Sequence, residues 1–167
     1  MSDMHVMLDL ETMGISHDAA IVAIGAVLFN ETGIKDSFYQ TIDLRSSADF
    51  GEIDASTVLW WMSQSDAAKK DIIEAECDIF VALERFSIWI PDYVNVWGNG
   101  ADFDNVILAN AYKTLNMTVP WSYHGNKCFR TVKSMNPKPN IERLGIHHNA
   151  LDDATYQANY LIDLEVL

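Results

Sequence analysis

The stretch HVMLDLETMG, residues 5–14, constrains the fold more than any other part of the chain. Val6, Met7, Leu8 and Leu10 form a near-continuous apolar run, the pattern of a strand covered on both faces. Two acids interrupt it. Side chains alternate along a strand, so Asp9 and Glu11 point to one side while Leu8 and Leu10 fill the other. Two carboxylates held together in a buried place repel unless one is protonated or a cation lies between them, and hard ions such as magnesium are held in this way.

The rest of the chain alternates between strand and helix patterns. Residues 4–10 predict a first strand, AAIVAIGAVLFN a second and DSFYQTID a third, with NETG as the turn between the last two. This is an antiparallel meander. DASTVLWWMSQSDAAKKDII offers Asp54 and Ser56 as caps for one or two short helices. Ile79, Leu83, Phe86 and Ile90 then recur at helical spacing, so residues 78–90 predict an amphipathic helix. YVNVWGNG reads as a strand entering a turn, followed by a helix from Asp102 or Phe103; a less regular basic region leads to a final helix in HHNALDDATYQANYLIDLEVL. The fold class is α/β, with a mixed central sheet of a three-strand meander plus parallel strands, flanked by helices. With 167 residues, 49% hydrophobic content, and neither a repeat nor a Pro/Gly-rich linker, residues 1–167 read as a single domain.

Charge and cysteine content narrow the classes. A net charge of -13 argues against coating long nucleic acid by phosphate neutralisation. The basic residues are nonetheless clustered: Lys127, Arg130, Lys133, Lys138 and Arg143 face only Glu142 over that span, either as an ordinary solvated segment or as a phosphate-contacting patch. Cys77 and Cys128 have neither zinc nor disulfide-framework spacing. No apolar run approaches the roughly 20 residues of a membrane span, and the N-terminus lacks a secretory layout, so a soluble, cytoplasmic protein is expected.

Two further places put acids at element ends. In WGNGADFDNVIL, Asp104 lies in the first turn of a helix, where Asp102 or Asp104 could equally be a cap. In HHNALDDA, His148 precedes Asp153 by five residues, and Asp152 could be the cap. Each is weak alone. In order, however, DLE on the first strand, FD at a strand-to-helix turn and HNALDDA at the last helix resemble the DnaQ-like, or DEDD, exonucleases of the ribonuclease H-like fold, in the subgroup whose last motif is HxAxxDA. His148, Ala150, Asp153 and Ala154 fit that motif, and Asp9, Glu11 and Asp104 fill the earlier acidic positions. The resemblance runs from residue 6 to about 160, and TVLWWMSQS with WGNGADFDNVIL looks like the small bacterial and phage branch that includes the mycobacterial exoribonuclease-like and phage exonuclease A proteins. One departure is DLETMG in place of the commoner DTETTG, with Met13 where a threonine is usual.

The resemblance implies a 3′-to-5′ exonuclease acting on the 3′ ends of single-stranded RNA or DNA, located in the host cytoplasm if phage-encoded. Asp9, Glu11, Asp104 and Asp153 would hold two Mg²⁺ or Mn²⁺ ions about 4 Å apart, an oxygen-only set that disfavours zinc. His148 would be the general base, with an imidazole mostly neutral at pH 7. Register with the motif makes His147 and Asp152 neighbours of the site, without catalytic roles. Thr12, Met13 and Gly14 are implied by the resemblance to meet the terminal nucleotide, and Arg130, from the basic cluster, could reach a phosphate. Trp60 and Trp61, adjacent on a helix, point about 100° apart, so one belongs to the core and the other to a base or a dimer interface; Trp61 is offered here as the base contact. A homodimer is compatible with the resemblance. Two other readings stand: an aspartyl-phosphate phosphatase, which needs an Asp where Glu11 stands, and a catalytically inactive relative that binds nucleic-acid ends or a partner protein.

Overall fold

The structure, a computed structural model, describes residues 3–136, 143, 145 and 148–167. The elements in chain order are β1 (His5–Thr12), β2 (Ile21–Asn30), β3 (Gly33–Thr41), α1 (Leu44–Ala48), α2 (Ala55–Met62), α3 (Asp66–Ile73), α4 (Ile79–Trp89), β4 (Asn95–Gly98), α5 (Asp104–Thr114), β5 (Asn126–Cys128), α6 (Phe129–Met135) and α7 (Ala150–Asp163). Among the described residues, five strands form one sheet in the order β3-β2-β1-β4-β5. The meander β1-β2-β3 is antiparallel, while β4 and β5 add in parallel beyond β1. The expected mixed sheet is therefore present.

β1 is central, and its two faces go to different layers. Val6, Leu8 and Leu10 pack with Ile79, Leu83 and Phe86 of α4 and with Ile107 and Leu108 of α5. Met7, on the opposite face, packs with Val27 and Phe29 of β2 and with Ala154, Ala158 and Leu161 of α7. By alternation Asp9 and Glu11 share the face of Met7, so both acids look toward α7. The helix reaches them because β2 leaves room. Gly25 is the register partner of Asp9, and a Cβ on it would lie 2.2 Å from the backbone of Ala150. Only glycine lets the first turn of α7 come down onto the sheet there.

Several local expectations shift. Asp54 does cap α2 by accepting from the Thr57 amide, but Ser56 is inside that helix, and Ser65 caps α3. The α5 helix starts at Asp104 with no side-chain cap, and α7 is capped by Asn149 where Asp152 was a candidate. The basic region contains β5 and α6, two elements too short to show a periodicity. Of its cluster, Lys138 and Glu142 lie outside the described residues, as does His147.

Candidate active site

The acids reach the site through three structural devices. Asp9 and Glu11 stand at the C-terminal end of β1, next to the end of its parallel neighbour β4, where α/β sheets open onto ligands. Asp104 serves no cap. One of its oxygens accepts the Leu10 amide at 3.1 Å and the other the Asn99 amide at 2.9 Å, which clasps the ends of β1 and β4 together. Asp153 arrives on the first turn of α7, and the descent over Gly25 sets its depth. These acids line a single cavity of about 300 Å³ together with His148 and Arg130.

The carboxylates are poorly suited to one another without a cation. Burial, followed by the charges of Asp104, Glu11 and Asp153, holds the Asp9 carboxyl well above the usual carboxylate range. Burial likewise pushes Glu11 up to about 9, with the Asp153 and Asp104 charges adding to it and Arg143 opposing. Asp104 rises to about 7 by burial against the pull of its two amide donors. A set of acids that strains to stay protonated is what a divalent cation would relieve. Glu11, His148 and Asp153 offer ligand atoms within 4.8 Å of one another. The residues present therefore fit a hard divalent ion.

The structure adds two residues to the site. Gln157, one turn beyond Asp153 on α7, is buried and donates its side-chain amide to Asp9 at 2.8 Å. Arg143, taken from sequence only as part of the basic cluster, is ion-paired with Asp153. The helical spacing of Asp153 and Gln157 was the available signal for the first; no periodicity marked the second.

The residues expected to meet the terminal nucleotide divide. A second, largely apolar groove of about 400 Å³ adjoins the acids at Glu11 and is lined by Thr12, Gly14, Ile15, Trp60, Trp61 and Phe103. Met13 is not part of it. Its side chain is 6% exposed and packs with Ala20, Val22 and Trp61, because the Thr12 hydroxyl bonds to the Gly14 carbonyl and turns the chain at this point. Trp61, offered as the base contact, is the buried member of its pair at 5% exposure, with its indole N–H donated to the Thr12 carbonyl at 2.9 Å. The open member is Trp60, 41% exposed, whose ring meets that of His148 edge-to-face at 4.7 Å. Ile15, unremarked in the sequence, stands 78% exposed at the lip. Arg130 lies beside the acids and donates to the Asn99 carbonyl at 2.7 Å, with Lys133 lining the same cavity one turn along α6.

A family model described as the 3′-5′ exoribonuclease Rv2179c-like domain matches residues 4–164. The exodeoxyribonuclease of Enterobacteria phage T4 is 28% identical over 134 residues, which cover 65% of this chain and 56% of the phage protein. This chain thus spans little more than half the length of that relative. Among solved structures, the nuclease domain of 3′hExo, a DEDDh family member bound to rAMP, superposes with a TM-score of 0.66 at 13% identity, over 98% of this chain and 92% of that one. E. coli Exonuclease I in complex with a dT13 oligonucleotide gives a TM-score of 0.70 at 12% identity, over 98% of this chain and 41% of that one. At such identities these likenesses establish a shared fold, the ribonuclease H-like fold of the DEDDh exonucleases.

Proposed function

Since the chain belongs to the 3′-5′ exoribonuclease Rv2179c-like domain family, of the DEDDh type, we propose that residues 1–167 act as one exonuclease domain that shortens single-stranded RNA or DNA from the 3′ end in the cytoplasm, releasing nucleoside 5′-monophosphates. The observation that carries the reading is the convergence of Asp9, Glu11, Asp104, Asp153 and His148 on one cavity from three separate segments of the chain.

Asp9, Glu11, Asp104 and Asp153 would hold two Mg²⁺ or Mn²⁺ ions. Such ions, when bound, stabilise charge on the attacking and leaving oxygens of an in-line displacement. The chain's own groups do the rest. His148 accepts the proton of the water that attacks the last phosphodiester, and the bond from phosphorus to the O3′ of the penultimate nucleotide breaks. Gln157 and the two backbone amides on Asp104 fix the carboxylates, so that little reorganisation accompanies the reaction. The groove of Thr12, Gly14, Ile15 and Trp60 suits the terminal base and sugar, with Trp61 and Met13 as its floor and support. Arg130 suits an upstream phosphate.

A time course on matched 5′-labelled RNA and DNA 20-mers tests this, with Mg²⁺, with Mn²⁺ and with EDTA. A ladder that shortens from the 3′ end, requires the metal and vanishes in Asp9→Ala is expected. The faster strand identifies the sugar. No cleavage of either strand with either metal would leave a module that binds nucleic-acid ends or a protein partner.

A further inference from the structure

The start of α7 is tied to β3 and α3 by a polar bridge that the chemistry above does not use. The Asn149 side-chain oxygen accepts the amides of Leu151 and Asp152, each at 3.1 Å, and so caps the helix. Its amide nitrogen works in the other direction. It donates to the Tyr39 hydroxyl at 3.0 Å and to the Asp71 carboxylate at 3.3 Å, and Tyr39 donates its own O–H to Asp71 at 2.6 Å. Capping needs only an oxygen, which serine or aspartate supplies equally well. The amide link to two other elements must serve something else.

The neighbouring residue indicates what. His148 has a φ of 64°, a left-handed conformation uncommon for a non-glycine residue, though histidine visits it more often than most. On its ring side stands Trp60. On its backbone side stands Asn149, which the bridge fastens to β3 and α3. Burial and the nearby Asp71 and Glu11 charges keep the Tyr39 phenol protonated, so it can donate to Asp71 while accepting from Asn149.

We propose that Tyr39, Asp71 and Asn149 are positioning residues that lock the backbone of His148 and thereby aim its imidazole at the space beside Glu11 and Asp153. The proposal rests on the reading of His148 as general base. At metal sites, outer-shell groups that orient the residues around the ion typically cost about 10- to 100-fold in metal affinity or activity when removed.

The test compares Tyr39→Phe and Asn149→Ser, the second of which retains a capping oxygen, each alone and combined with His148→Ala. Single-turnover and steady-state rates are measured on a 5′-labelled single-stranded oligonucleotide, with Mn²⁺ affinity by titration. Each single variant should lose about 10- to 100-fold in kcat, with KM and Mn²⁺ affinity unchanged. In the His148→Ala background neither change should lower the residual rate further, because the bridge acts only through that imidazole. Equal losses in both backgrounds, or full rates in both single variants, would overturn the proposal. Undiminished turnover by His148→Ala alone would overturn the general-base reading and the positioning role with it.

Discussion

Glu11 makes the strain of the acidic cluster measurable. Its carboxyl titrates at about 9 in the folded protein against 4.5 as its ordinary value. Between those limits the native state retains a proton that the unfolded chain has released, so stability is full below about 4.5 and falls as pH rises toward 9. Asp104, raised from 3.8 to about 7, acts in the same direction over its own window. In EDTA, the melting temperature should therefore drop between pH 5.5 and pH 9, and Glu11→Gln should flatten that slope. Mn²⁺ should raise the melting temperature more at the alkaline end, where the carboxylates are free to bind it. Thermal melts across pH, with and without the ion, check all three; a slope unaltered by Glu11→Gln would remove Glu11 from the account.

The element that determines the site is α7, and its seat is Gly25. Alanine there would press a methyl group into the Ala150 backbone, and neither β2, paired on both sides, nor the capped helix can yield cheaply. Gly25→Ala should cost roughly 1–3 kcal/mol, the usual range for overpacking, and should displace His148 and Asp153 together. Urea denaturation should show the loss of stability, and the time course a loss of cleavage beyond what the stability change explains. Elements of this length were legible from sequence: the apolar run of β1, the stripe of α4 and the HNALDDA entry to α7 each carry a period or a motif over enough residues to stand out. The three residues of β5 and the seven of α6 carry neither. That the acids and His148 share one cavity was legible because their order along the chain is distinctive. Trp60 and Trp61 were not resolved, since two adjacent identical residues differ only in which way the helix faces, and that is set by the distant Thr12 carbonyl. Met13 was misplaced for a similar reason, because the turn after Thr12 sends its side chain inward.

On the scale of the molecule, the net charge of -13 contrasts with a small basic rim at the cavity. Arg130 and Lys133, three residues apart on α6, both line the acidic cavity, and Lys133 lies 5.6–5.8 Å from the ring centres of Phe129, Tyr156 and Tyr160. With about two phosphates neutralised, the affinity for a single strand should fall with salt at a log–log slope near -1.4. Arg130→Ala and Lys133→Ala should each raise KM and make that slope shallower by about 0.7, with kcat nearly unchanged. Steady-state kinetics from 50 to 300 mM KCl would show this, and a slope untouched by both variants would place the strand elsewhere. Among the described residues, no helix is long and apolar enough to cross a membrane.

The contact of Gln157 with Asp9 joins positions 148 apart in the chain, and it has a consequence in time. A ribosome adding roughly 5–20 residues per second delivers Asp9 and Glu11 seconds to tens of seconds before His148 and Asp153. In that interval the nascent polypeptide holds Asp9, Glu11 and Asp104 without His148, Asp153 and Gln157. Asp9 therefore stands without its amide donor, and its neighbours without Asp153, until translation of α7 completes the cluster.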